Sequence, residues 1–201
     1  MKFLIAGLGN IGAEYVETRH NIGFDVLDVF AAKHRGTWRT DRLADVCELS
    51  IKGRKLVLIK PSTYMNLSGR AVKYWLDHEK ISIDNLLVVL DDLAFPLTTL
   101  KLKKNGSDAG HNGLKSIQES LGTSNYPRLR FGIGNNFAKG RQVDFVLGRW
   151  QDSEIPLVNK KVSICGEMIE CFCTLGVDRT MNLYNNLLIT PWKYFALAAT
   201  M

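Results

Sequence analysis

Two histidines in this chain each stand beside an asparagine in a glycine-flanked setting, Thr18-Arg19-His20-Asn21 and Gly110-His111-Asn112-Gly113. Two more turns carry asparagine in the same style, Gly9-Asn10 and Met65-Asn66-Leu67-Ser68-Gly69. An imidazole exchanges a proton near neutral pH. A carboxamide offers a donor and an acceptor together and can grip an amide-bearing substrate. His20 lies in a polar stretch rather than on an apolar face, which favours a chemical role over a structural one. Asp91 ends the apolar run Leu86–Leu90 and could reach across the rim to the second ring nitrogen of His20. A carboxylate there would fix the tautomer and support the imidazolium. Such a pair is a general base that activates water, with no nucleophilic Ser or Cys needed. The chain has no G-x-S-x-G, no HExxH and no P-loop lysine motif. Hydrolysis by base-activated water is therefore the simplest enzymatic reading.

These residues fall at junctions between elements. Lys2–Leu8 reads as a buried strand that stops at glycine. Asn21–His34 reads as an amphipathic helix. Ala44–Ile51 and Lys55–Ile59 alternate about Lys52-Gly53-Arg54, which predicts a hairpin. Ser68–Glu79 reads as a helix with Ser68 as its N-cap. Leu86–Leu90 predicts a central strand, and Thr98–Lys103 an edge strand with its lysines toward water. Asn112–Leu121 predicts a helix, Arg128–Ile133 a strand, Lys139–Leu147 a shorter helix and Asp152–Leu175 a long one; Thr180–Asn186 adds a turn or two. Strands interleave with helices throughout, so the expected fold is a three-layer α/β/α domain around a mixed, mostly parallel sheet. Sites on such sheets gather at the carboxyl ends of strands. Asn10, Asn66 and Asp91 all follow strands and are expected on one rim.

Gly7-Leu8-Gly9-Asn10-Ile11-Gly12 matches the dinucleotide-binding GxGxxG. That motif needs a helix to begin inside it, so that the helix N-terminus meets pyrophosphate. Here Ala13–Arg19 intervenes without helical spacing, and the helix begins only near Asn21. The match is set aside.

At 201 residues a single domain is expected over the whole chain, with the tail Leu187–Met201 supporting no inference. An apolar content of 46% fits an ordinary soluble protein, and no run is long enough to span a bilayer. Cys47, Cys165, Cys171 and Cys173 lack zinc or disulfide spacing, and Cys165, Cys171 and Cys173, in a long helical pattern, read as buried free thiols. The expected location is cytoplasmic. The net charge of +6 is concentrated, because residues 101–149 hold nine basic and three acidic residues. Such a segment attracts polyanions through counterion release and steering.

Taken in order, the motifs resemble bacterial-type peptidyl-tRNA hydrolase. The resemblance covers Gly7-Leu8-Gly9-Asn10 with Gly12, then Tyr15 and Thr18–Gly23, and Pro61–Gly69. It continues through Asp91-Asp92-Leu93, Gly110–Lys115, Arg128–Gly134 and Asp144–Gly148. It implies hydrolysis of the ester joining a peptide to the 3′-terminal ribose of tRNA, with peptidyl-tRNA as partner and no metal or organic cofactor. It also implies roles: His20 as base, Asp91 as its orienting carboxylate, and Asn10, Asn66 and Asn112 as substrate-holding amides. Tyr15, Met65 and His111 would line the substrate cleft, and Lys103 and Arg130 would meet a tRNA phosphate. A monomer is expected. The alternative is a non-catalytic RNA-binding relative of the same fold. Three places depart from the family pattern: Ile11 in place of a proline, Ala94 in place of an aspartate, and Asn105–Ala109 in place of a glycine-rich loop.

Overall fold

The computed structural model describes residues 1–190. Its organising element is β1 (Lys2–Gly7), whose residues after Lys2 are all buried. Phe3 and Ile5 enter one core while Leu4 and Ala6 enter another. A strand buried on both faces has to be an apolar run rather than an alternating one. β5 (Leu86–Asp92) follows the same rule, with every residue buried. β1 pairs in parallel with β5 on one side and with β4 (Arg54–Pro61) on the other.

Seven strands form one sheet in the order β2-β3-β4-β1-β5-β7-β6. Its parallel centre is β4-β1-β5-β7, where β7 spans Arg128–Gly132. The margins are antiparallel: β2 (Arg39–Asp41) and β3 (Ala44–Ile51) on one side, β6 (Leu100–Lys103) on the other. The hairpin joining β3 to β4 turns on Lys52 (φ 50°) and Gly53 (φ 74°). Two successive left-handed residues make the two-residue turn that matches strand twist, so Arg54 belongs to the strand rather than to the turn.

Helices cover both faces. On one lie α1 (Ile22–Lys33) and α5 (Ile155–Leu175), packed through Phe30, Val162, Cys165 and Ile169. On the other lie α2 (Ser68–Glu79) and α3 (Asn112–Leu121), packed through Val72, Trp75, Leu114 and Ile117. Each such large apolar side chain contributes about 1.5–3 kcal/mol by leaving water. α4 (Gln142–Val146) and α6 (Val177–Tyr184) are short. All four cysteines are free and buried.

The structure corrects several expectations. Ser68 does not cap α2; it is the first helical residue, and its hydroxyl donates to the Met65 carbonyl at 2.8 Å. A 3-10 turn, Met65–Leu67, supplies the entry instead. α4 starts at Gln142 rather than Lys139, because Gly140 is left-handed (φ 84°). α5 starts at Ile155 with Pro156 in its first turn, where a missing N–H costs nothing. β2 has no apolar alternation and was not legible. On β6 only Lys103 is exposed; Lys101 is half-buried and its ammonium donates to the Asn185 carbonyl beyond α6. The expected tail reaches into residues 191–201, which lie outside the described residues.

Candidate active site

The site assembles at the carboxyl ends of the parallel strands, as open α/β sheets dictate. Gly7 ends β1 against α1: a Cβ there would stand 2.3 Å from the Gly23 carbonyl oxygen, so only glycine lets the turn pass this close. The chain then runs through 3-10 turns at Ala13–Tyr15 and Arg19–Asn21 before α1 begins. The start of α1 packs against the GxGxxG segment, with Gly23 on Gly7 and Leu8 and Phe24 on Gly9, and the side chain of Asn21, its N-cap, is bonded to the Asn10 backbone.

His20 sits in the second of those turns. Its Nδ1 lies 2.9 Å from Oδ1 of Asp91, which is buried at the end of β5 (2% exposed). The same oxygen lies 3.0 Å from Nε2 of His111. The two rings are 4.9 Å apart, centre to centre. His111 also caps α3, where its Nδ1 accepts the backbone N–H groups of Gly113 (3.1 Å) and Leu114 (3.4 Å). An accepting Nδ1 places the His111 proton on Nε2, so His111 donates to Asp91. His20 donates from Nδ1, which leaves its Nε2 lone pair as the basic position; both tautomers follow from the bonding network.

The electrostatics are consistent with that wiring. Burial pushes the Asp91 carboxyl up, but the charges and hydrogen bonds of His20 and His111 outweigh it and hold Asp91 well below the usual carboxylate range. Burial lowers His20, yet the charge and hydrogen bond of Asp91 outweigh it and raise His20 above its ordinary value. The ligating atoms of His20, Asp91 and His111 lie within 4.8 Å of one another, close enough for a metal ion to bridge. Both ring N–H groups already point at Asp91, so such an ion would have to displace two protons.

Asn10 is oriented with equal care. Its Oδ1 accepts the Met65 N–H at 2.8 Å. Its backbone is clamped by Asn21, whose Oδ1 accepts the Asn10 N–H (2.8 Å) while its Nδ2 donates to the Asn10 carbonyl (2.9 Å). With its oxygen occupied, Asn10 has its amide donors left for the cleft it lines. That cleft, about 440 Å³, is bordered by Asn10, His20, Met65, Asn66, His111, Asn112 and Arg130. An apolar wall comes from Leu93 and from α4 and its exit, Val143, Val146 and Leu147. Asn66 and Asn112 are both exposed. Asp108 and Ala94, two of the departures from the family pattern, also border the cleft.

Two expected site residues are not brought to it. Tyr15 is half-buried in its turn, where its carbonyl accepts from the backbone and hydroxyl of Thr18. Lys103 borders a separate groove with Lys104, Met181 and Asn185. Arg130 does line the cleft, but its guanidinium is ion-paired with Asp92 and lies 5.2 Å from the Phe95 ring centroid. Register places Lys101 opposite Arg130 and Lys103 opposite Arg128, so these four share one face of the β6–β7 margin.

Sequence reasoning missed two supports. Asn21 stood in the motif without a role, and nothing local marks a carboxamide that clamps a backbone. Arg128 was counted as available for a polyanion. It is instead buried (1% exposed), donating to the carbonyls of Gly106 (2.9 Å), Ser107 (3.2 Å) and Ser124 (2.7 Å). It thus pins the loop that leads to His111.

Comparison with known proteins places this architecture. The family model for peptidyl-tRNA hydrolase matches residues 4–191. The chain belongs to the peptidyl-tRNA hydrolase family. Peptidyl-tRNA hydrolase of Bacteroides fragilis is 54% identical over 185 residues, covering 92% of this chain and 99% of that protein. That of Phocaeicola vulgatus is 55% identical over 185 residues, with the same coverage. Among solved structures, peptidyl-tRNA hydrolase from Acinetobacter baumannii superposes with a TM-score of 0.88 at 32% identity, covering 94% of this chain and 96% of that one. The mixed seven-stranded sheet with helices on both sides is thus the fold of the family.

Proposed function

We propose that the chain hydrolyses the ester between a peptide and the 3′-terminal ribose of tRNA, with His20 as general base. Nε2 of His20 takes a proton from water as the water oxygen bonds to the ester carbonyl carbon. The tetrahedral intermediate expels the ribose oxygen, which recovers the proton from His20, and free peptide and free tRNA result. Asp91 holds Nδ1–H and stabilises the imidazolium. The amide donors of Asn10 are placed for the oxygen on which charge develops, and Asn66 and Asn112 for the peptide main chain. Main-chain contacts would make the enzyme indifferent to peptide sequence. The observation that carries the reading is the shared Asp91 oxygen, which fixes both histidine tautomers and leaves the basic nitrogen of His20 in a cleft bordered by three carboxamides.

Lys103 and Arg130, on one face of the β6–β7 margin, are assigned to a tRNA phosphate. Arg130 would reach it while held by Asp92. One continuous sheet supports a single domain, and the monomer expected from the sequence is retained as part of the proposal. A substrate made by translation supports a cytoplasmic location. No helix among the described residues is long and apolar enough to cross a membrane. The non-catalytic alternative is not favoured, since the relatives described above are hydrolases by name and the base, acid and amides are all present.

The deciding experiment is single-turnover release of tRNA from peptidyl-tRNA by His20→Ala. Loss of rate by about 10²–10⁴ with tRNA binding retained is expected of a general base. Turnover like that of the unmodified enzyme would remove the assignment.

A further inference from the structure

Two parts of the sequence pattern have no place in the chemistry above: Arg19, which immediately precedes the base, and the stretch from Asp144 to Gly148. In the fold they meet. Arg19 is buried (5% exposed) although its guanidinium is permanently charged. Its Nη1 donates to the Arg149 carbonyl at 2.6 Å and its Nη2 to the Glu154 carboxylate at 2.7 Å. The guanidinium carbon lies 4.5 Å from the Phe145 ring centroid and 5.0 Å from that of Trp150. The Arg19 N–H donates to the Gly148 carbonyl at 3.0 Å, and Thr18 forms an antiparallel bridge with Arg149. Gly148 fits this contact: a Cβ there would stand 3.0 Å from the Asp144 carbonyl oxygen and 3.4 Å from Nη1 of Arg19.

A guanidinium taken out of water needs partners for its charge and for its donors. Here the groups that match the charge, Nη1 and Nη2 all come from residues 145–154, while Nε is left without a hydrogen-bond partner. That stretch continues directly from α4, which provides the apolar wall of the cleft. His20 follows Arg19 within one three-residue 3-10 turn. Displacement of the arginine backbone therefore reaches the ring with little slack. The charged and titratable groups facing His20 are Asp91 and His111, whereas Arg19 turns its own charge away, toward Glu154.

We propose that Arg19 is a positioning residue that, through Glu154, Phe145 and Trp150, locks the turn bearing His20 to the α4 wall. The wall and the base then move as one unit, and the His20–Asp91 hydrogen bond keeps its geometry when substrate presses on the wall. This inference rests on His20 being the base.

The test uses the full chain, with Arg19→Lys and Glu154→Ala assayed on peptidyl-tRNA across pH, beside His20→Ala. Circular dichroism and thermal midpoint report folding. If Arg19→Lys fails to fold, Glu154→Ala decides, because its side chain is partly exposed. The expected result is a fall in kcat of about 10-fold to 100-fold, since a misplacement of about 1 Å costs on the order of 10². KM is expected to change little, and the acid limb of kcat/KM to move to lower pH as Asp91 loses its hold on His20. A purely structural role would lower the thermal midpoint and the active fraction without moving that limb, so an unmoved limb overturns the proposal. So does an undiminished kcat. If His20→Ala itself keeps full turnover, the base assignment falls. If His20→Ala is inactive while Glu154→Ala keeps rate and limb, only the coupling falls.

Discussion

Replacing Asp91 by asparagine separates two duties that the structure assigns to one carboxylate. The carboxamide oxygen of an asparagine can still accept both Nδ1–H of His20 and Nε2–H of His111, so both tautomers survive. Only the charge is lost. A carboxylate about 4 Å from an imidazolium, at an effective dielectric of about 20, is worth roughly 4 kcal/mol. A hydrogen bond to a charged group contributes about 1.5–3 kcal/mol, and the two overlap. A loss of about 2–4 kcal/mol of imidazolium stabilisation follows. At about 1.36 kcal/mol per tenfold, kcat/KM should fall by roughly 30-fold to 10³-fold. That is less than the approximately 10⁴ associated with a wrong tautomer. The acid limb should move as well. Asp91 raises His20 above its ordinary value against the pull of burial, so without the charge burial prevails and the limb should drop below that value. Single-turnover tRNA release between about pH 5 and 9 reads both effects. A plateau and limb unchanged from the unmodified enzyme would refute the wiring. Stability should follow the same groups. Asp91 is depressed in the fold, so its contribution is present above the unfolded carboxylate value and is lost as pH falls toward its lowered folded value. His20 is raised, so its contribution is complete below its unfolded value and is lost as pH climbs through the folded one.

Two more substitutions probe the supports. His111→Ala removes both the cap of α3 and one bond to Asp91; a loss of about 1 kcal/mol for the cap alone should lower the thermal midpoint by about 2–4 °C. Its activity loss should be smaller than that of His20→Ala, and a larger loss would make His111 the base instead. Lys103→Ala should weaken tRNA binding and make its salt dependence shallower by about one unit for each phosphate that is no longer neutralised, with no change in thermal midpoint. Arg130→Ala should also destabilise, by up to about 3 kcal/mol, because Asp92 would be left buried without its cation. Equal stability in the two variants would show that the Arg130–Asp92 pair does not support the fold.

Local pattern carried much of the fold. α2 and α3 take the bounds their apolar spacing predicts, and so does β3, because burial of one face repeats with the period of the element. The failures lie where pattern has no period. β2 is three exposed residues, paired only because β3 offers an edge. The start of α4 was set by the left-handed backbone at Gly140, which no hydrophobic count reveals.

The sequence by itself determined which side chains could do chemistry and which ends of which strands would carry them. His20, Asp91, His111 and the three asparagines are visible as residue types in ordered motifs. Only the tertiary structure decided their partnerships. His20 and Asp91 are 71 positions apart, and His111 another 20, so their bonds to one oxygen depend on the parallel register of β1 with β5 and on the entry of α3. The same cause sorted the basic residues. Arg128 disappeared into a loop anchor, Arg130 took Asp92, and Lys101 took the end of α6, while Lys103 stayed exposed. Charge is written residue by residue in a chain, but its availability depends on which carbonyls and carboxylates arrive from elsewhere, and that is fixed only when the sheet closes.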